Sequence, residues 1–240
     1  MPENFSYCEQ LVRDEDRDRF LATLFAPAQV RPALFSIYAF DIEIAHVSAR
    51  VSEPLAGEVR LQWWRDVITG VAREQAGGSP VAAALVETIA RYTLPDGLFA
   101  DLIEAQRDAL YRKPVETMDE FEHWAAKTHG GIVALAARIL SGGENPGLDH
   151  LSQHAGIALA CMKNAAAGPN FNDFRDLADR NLALVRAGLP VPDVQTNAAF
   201  LPLALVRPSL REIGKNKAPL PQWRRQWILW RASRNLAKWL

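Results

Sequence analysis

Prolines in this chain stand at the edges of apolar stretches that carry a helical period. Pro27, Pro54, Pro80, Pro95, Pro114, Pro146, Pro169, Pro190 and Pro208 flank segments whose apolar residues recur every three or four positions. No segment alternates strictly enough to read as a strand. Proline lacks the N–H that a helix interior requires, so it falls where a helix begins or has ended. The pattern predicts helices over 15–25, 31–49, 53–75, 79–92, 97–112, 117–141, 148–166, 172–187, 197–212 and 220–239. Thr117-x-x-Glu120 has the spacing of a capping box. Ser79 before Pro80, and Ser52 with Glu53 before Pro54, read as further N-terminal caps. The loosest piece, "GLPVPDVQT" at 188–196, is too short to separate two domains. The expectation is one all-α domain over residues 1–240.

Composition narrows the class. Apolar residues make up 49% and charged residues 23%, which suits a soluble globular protein with ample core. A net charge of -1 gives no bulk attraction for a nucleic acid, and no base-reading motif appears. Two distant cysteines, Cys8 and Cys161, form no CxxC pair and argue against structural zinc or a disulfide framework. "MPENFSYCEQ" lacks the apolar region of a signal peptide, and no apolar run approaches the ~18 residues of a membrane span. A cytoplasmic protein is expected, peripheral to the inner membrane if the C-terminus described below meets lipid.

The helix "YAFDIEIAHVSAR" carries Asp41, Glu43 and His46 inside an apolar pattern. At 100° per residue Asp41 and Glu43 diverge and cannot share one ion from the same helix. Glu43 and His46 do share a face, and Glu120 with His123 repeats the Glu-x-x-His spacing used by di-iron bundles. Glu58, Glu87 or Glu104 would have to complete such a site. The alternative is that these are satisfied polar residues, with Arg31 or Arg60 as ion-pair partners. Asp101, Glu104 and Asp108 fall at spacings of three and four and share a face. Asp14, Glu15, Asp16 and Asp18 in "RDEDRDR" alternate with arginines and read as a self-neutralised, solvated surface.

Several segments together resemble the squalene/phytoene synthase family. They are "LFAPAQVRPALFSIYAF" (24–40), "EVRLQWWRDVITG" (58–70), "LIEAQRDALY" (102–111) and "HWAAKTHGGIVALAARIL" (123–140), the last with small residues suited to a close helix crossing. The resemblance implies a shortened isoprenoid synthase-type helical bundle. Its active members join two prenyl diphosphates head to head, on Mg²⁺ ions held by two aspartate-rich motifs. It also implies a substrate or lipid cavity, with Phe35, Tyr38, Phe40, Arg31, Trp64 and Arg65 as its candidate walls. With Tyr38-Ala39-Phe40 placed on the family's Tyr-Ala-Phe, Ala45, His46 and Ala49 take the places of the first aspartates. Ala167 and Phe171 take those of the second motif, and no Gly-Arg-x-Tyr-x-Pro occurs. A non-catalytic branch of the family, which includes complex I assembly factors, matches more closely at Glu43, Ala45, Val51, Ser52 and Glu53, with Asp41 in place of its Asn.

Three expectations follow from the resemblance and the residues. One is a non-catalytic binding or assembly factor, related to lipid or a respiratory complex, without a cofactor. The second is an active prenyltransferase with rearranged Mg²⁺ ligands drawn from Asp41, Glu43, Glu104 and Asp108. The third is the di-iron bundle.

From Arg207 onward nine residues are basic and only Glu212 is acidic. In the last helix Ile228, Leu229, Ala232, Leu236, Trp239 and Leu240 form a stripe suited to the core. Trp223, Trp227 and Trp230 form a second ridge, flanked by Arg224, Arg231, Arg234 and Lys238. Tryptophan beside arginine suits a membrane surface or a membrane-associated protein complex. It equally fits packing on the N-terminal segment.

Overall fold

Phe5, Cys8 and Val12 are all buried. Their spacing of three and four defines helix α1 (Glu3–Glu15), which the sequence pattern did not single out. The computed structural model describes residues 3–50, 53–111, 117–165, 170–189 and 196–240. The expected matches at Val51 and Ser52, and Pro114, Ala167, Pro169 and Pro190, lie outside these residues.

The chain continues through α2 (Arg17–Thr23), α3 (Arg31–Arg50), α4 (Pro54–Ile68), α5 (Pro80–Tyr92), α6 (Asp96–Leu110), α7 (Met118–Leu140), α8 (Asp149–Asn164) and α9 (Phe171–Gly188). It ends with α10 (Asn197–Phe200), α11 (Val206–Ile213) and α12 (Gln222–Ala232). Among the described residues there is no strand. Long helix α3 is central and packs on α1, α5, α6 and α7. Its buried Phe40 meets Trp64 of α4 edge to face at 5.1 Å and Phe99 of α6 at 5.5 Å. Buried side chains from Phe5 to Leu240 belong to one contiguous core.

The caps follow the chemistry of the sequence. Thr117 Oγ1 accepts from the Glu120 N–H at 3.1 Å, and the Glu120 carboxylate accepts from the Thr117 N–H. Ser79 caps α5 by accepting from the Ala82 N–H. Glu53 occupies the cap position of α4 but makes no side-chain bond there. Three expected helices are interrupted. The segment 53–75 breaks after Ile68, where Gly70 takes φ +89°, and resumes as a 3₁₀ turn over Arg73–Gly78. The segment 197–212 divides around a 3₁₀ turn at Leu201–Leu205 containing Pro202. The last helix ends at Ala232, and Asn235 caps a separate turn over Leu236–Lys238.

The α7–α8 crossing is the closest packing that the small residues permit. A Cβ built on Gly156 would lie 2.0 Å from the Gly130 nitrogen and 2.4 Å from its Cα. Only glycine at both positions allows this approach.

Candidate functional site

Asp16 interrupts the first helical stretch and caps α2, its carboxylate accepting from the Arg19 N–H at 3.0 Å. The break between α1 and α2 turns Arg19 inward, where its side chain is only 8% exposed. Arg19 donates to the Asp41 carboxylate of α3 at 2.6 Å and lies 3.6 Å from Asp16. Lys163 of α8 reaches Asp16 at 3.3 Å. The Arg19 guanidinium stacks over the Tyr38 ring at 5.1 Å. Four ionised groups from α2, α3, α8 and the α1–α2 junction therefore form one connected chain, Asp41–Arg19–Asp16–Lys163.

The surroundings keep these charges in place. Burial opposes the charge on Arg19, but Asp41 and Asp16 outweigh it and raise its pKa further. Burial also opposes the ionised form of Asp16, and Lys163 and Arg19 overcome it to lower the pKa. Burial pushes the Tyr38 phenol up to about 12. Beside the chain, His129 is held neutral at physiological pH, pulled down first by burial and then by Lys163. Its Nδ1 lies 3.2 Å from Thr128 Oγ1. An unpaired buried charge costs several kcal/mol, so the sequence position of Arg19 is explained by its two carboxylates.

"RDEDRDR" is thus not a uniformly solvated surface, contrary to expectation. Asp14 is exposed and bonds Gln10, but Asp16 and Arg19 belong to the interior chain, and Asp18 accepts from Arg225 of α12. The chain break at Asp16 reorients the segment, which a continuous helical wheel does not capture. Asp41 and Glu43 diverge as the wheel requires: Glu43 lies 3.8 Å from Arg60 of α4. Arg31 is not a partner of either; its Nε donates to the Ala26 carbonyl at 2.8 Å.

The di-iron expectation fails on geometry. Glu43 faces Arg60, whereas His46 lies 3.7 Å from Glu15 and 3.3 Å from Arg50. Glu120 belongs to the cap of α7. Among the described residues, no three of His, Cys, Asp and Glu come together in an arrangement that could hold a metal ion. The rearranged set Asp41, Glu43, Glu104 and Asp108 does not assemble either. Asp41 pairs with α2, Glu43 with α4, and Glu104 with Arg65 and, at 2.6 Å, Arg107. Asp101, Glu104 and Asp108 do share a face, and line a cleft of about 480 Å³ with Asp119, Glu120 and His123.

Of the proposed cavity walls, Phe35, Tyr38, Phe40 and Trp64 are buried at 5% exposure or less. Phe35 stacks on Phe20 at 5.8 Å, and Phe40 is held between Trp64 and Phe99. Arg65 lines a separate cleft of about 500 Å³ between α4 and α6. In α12 the aliphatic stripe is buried, while Trp223, Trp227 and Trp230 are 69%, 48% and 44% exposed. The Trp ridge therefore does not pack on the N-terminal segment. Arg231 stacks over Trp227, Arg234 lies 3.9 Å over Trp230, and Arg224 reaches Glu212 at 3.1 Å. No helix among the described residues is long and apolar enough to cross a membrane.

Sequence reasoning missed Arg19, Asp16, Lys163 and His129. The available signal was a charged residue placed next to the apolar run "FLATLF", one turn from a helix-breaking Asp.

This arrangement of helices is that of the all-α isoprenoid synthases. The structure is similar to a dehydrosqualene synthase, with TM-score 0.81 and 15% identity, covering 98% of this chain and 97% of the other. A squalene synthase from Alicyclobacillus acidocaldarius matches with TM-score 0.54 and 20% identity, covering 98% and 94%. The family model described as Squalene/phytoene synthase matches residues 12–167, more than half of the sequence, and the chain belongs to that family. Among curated relatives, NADH dehydrogenase (ubiquinone) complex I assembly factor 6 of Homo sapiens and of Bos taurus are each 28% identical over 68% of this chain and 49% of their own length. A phytoene synthase from Arthrospira platensis is 27% identical over 56% of this chain and 44% of its own. The chain spans about half the length of the curated relatives it matches.

Proposed function

We propose that this chain is a non-catalytic member of its family, an assembly-factor-type scaffold for a membrane-bound respiratory complex. The observation that carries the reading is Arg19 seated between Asp41 and Asp16. A synthase must gather several Mg²⁺ ions beside a departing pyrophosphate, and each ion needs hard oxygen ligands on facing helices. The donor set here does not fit that demand. Ala45 and Ala49 offer no donor and His46 offers nitrogen, at the places the family register assigns to aspartate. Asp41 is already neutralised by a buried guanidinium, which would repel a cation.

The likeness to proteins named complex I assembly factor 6 supports the choice of partner class. The exposed Trp223, Trp227 and Trp230 with their stacked arginines support docking of α12 at an anionic membrane surface, where indole and guanidinium each keep a polar contact. A lipid or isoprenoid ligand, in this reading, meets the protein at that surface. Inside the bundle it would have to part Phe40 from Trp64 and Phe99.

The test is incubation with farnesyl or geranylgeranyl diphosphate and Mg²⁺. No pyrophosphate release is expected; turnover abolished by Glu104→Ala and Asp108→Ala would sink the reading. Deletion of the gene should lower assembled NADH dehydrogenase, and normal levels in the deletion strain count against the scaffold role. Vesicles rich in anionic lipid should pellet the wild type at low salt but not Trp223/Trp227/Trp230→Ala.

A further inference from the structure

Two helical ladders of side chains face each other between α9 and α11. Phe171, Arg175 and Asp179 lie at i, i+4 and i+8 along α9, and Arg207, Arg211 and Lys215 repeat that spacing along α11 and the turn after it. Together they line a cleft of about 310 Å³ whose floor includes Leu210 and Gly214. The Phe171 ring lies close against Gly214, so that a Cβ there would come within 2.7 Å of it. Four cations thus converge on one concavity with an apolar floor.

Like charges four residues apart on a helix destabilise it unless something neutralises them. Two of the four are compensated. Arg207 donates to Asp179 at 2.7 Å and also to the Leu240 carbonyl, and Arg175 pairs with Asp176 at 2.9 Å. These contacts hold the two guanidinium groups against carboxylates. Arg211 and Lys215 are exposed and have no side-chain partner among the described residues. The dipole of α11 favours cations only near its C-terminal end. It accounts for Arg211 and Lys215 but disfavours Arg207, in the first turn, and does not bear on Arg175.

We infer that this cleft is a binding site for a phosphate group. A tetrahedral dianion matches the forked donors of Arg211 and the point charge of Lys215, with the Arg207 and Arg175 guanidinium groups held beside them. The ring of Phe171 and the side chain of Leu210 offer contact to whatever apolar group the phosphate carries. Phosphate of this kind occurs on small soluble esters and on anionic lipid headgroups. The site is separate from the Trp ridge of α12 and stands whether or not that ridge meets a membrane.

The experiment compares the full chain with an Arg211→Gln/Lys215→Gln variant at constant ionic strength. Both substitutions are at exposed positions, and circular dichroism confirms that the fold is kept. One arm is calorimetric titration with inorganic phosphate and pyrophosphate. The other is sedimentation with phosphatidylcholine vesicles with and without phosphatidylglycerol, in a Trp223/Trp227/Trp230→Ala background. The expected result is binding in at least one arm, weakened about tenfold or more in the variant. Binding of pyrophosphate identifies a soluble phosphate ester; binding confined to phosphatidylglycerol vesicles identifies a headgroup. Binding in neither arm, or equal binding by the variant, overturns the inference.

Discussion

Arg19 donates to Asp41 at 2.6 Å, joining a short N-terminal helix to the centre of the longest helix in the first half of the chain. Replacing a buried charge while leaving its partner behind costs about 3–5 kcal/mol. Arg19→Met should therefore lower the unfolding free energy by about that amount in urea titrations. Adding Asp41→Leu should recover part of the loss, because the two residues belong to one network. Glu104→Ala should cost about 1 kcal/mol or less, since its arginine partners are 35% and 48% exposed and screened by solvent. Equal losses from Arg19→Met and Glu104→Ala would contradict the assignment of a buried chain.

Acid should destabilise the fold in two stages. His129 has a folded-state pKa lowered from its ordinary 6.5 to about 3. The unfolded chain therefore takes up its proton first, and the stabilisation present above about 6.5 is lost as pH falls below it. Asp16 also has a lowered folded-state pKa, so its contribution is lost further down, below about 3.9. Asp18 acts with the opposite sign, because burial raises its pKa in the folded state. The slope between pH 6.5 and 5 should be at most about 1.4 kcal/mol per unit, reduced by the partial exposure of His129. Urea midpoints at pH 7.5, 6 and 5 measure it, and His129→Gln should flatten it. A slope unchanged in that variant would assign the effect elsewhere.

Gly156→Ala should be among the most damaging single-methyl changes in the chain. The new methyl would fall on the Gly130 backbone rather than on a flexible side chain, so the α7–α8 crossing must open. Overpacking of this kind costs about 1–3 kcal/mol or more. Gly97→Ala, whose Cβ meets nothing within 4 Å, serves as the control and should leave the melting temperature nearly unchanged. Similar melting temperatures for the two variants would argue against a close crossing.

Cys8 and Cys161 should be inert in the folded protein. Both side chains are fully buried, and burial pushes each thiol up to about 12. Little thiolate exists near pH 8 to attack a disulfide reagent. Titration with a chromogenic disulfide should count no fast-reacting thiol in buffer and two in strong denaturant. Rapid reaction of either under native conditions would contradict its burial.

The helices and their family could be read from the sequence because periodicity and prolines act locally. Divergence of Asp41 from Glu43, the Thr117–Glu120 cap and the existence of a second apolar face on α12 also follow from spacing alone. That this face is exposed does not, because the spacing fits packing on the N-terminal segment equally well. Arg19 could not be placed this way. Its burial depends on a change of direction at Asp16 and on Lys163, which comes from 147 residues away. The same holds for Asp18, whose partner Arg225 is 207 residues distant. A helical wheel sees only one element at a time, and it sorted these charges to solvent. Burial of α1 was missed for the opposite reason. Phe5, Cys8 and Val12 are too few to stand out, yet each is almost wholly covered by α3 and α5.

The contact between Arg225 and Asp18 has a bearing on how the chain is made. A ribosome delivers the N-terminal helices first, and domains fold as their parts emerge. Here Asp16, at the α1–α2 junction, and Asp18 of α2 have counterparts that arrive only with α8 and α12. Until then Asp16 and Asp18 lack those partners, although α1, α2 and α3 can already bury Phe5, Cys8 and Val12 and close the Arg19–Asp41 pair. The two ends of the sequence must meet before the polar interior is complete, so the last charge pair of the N-terminal segment closes only when α12 has been made.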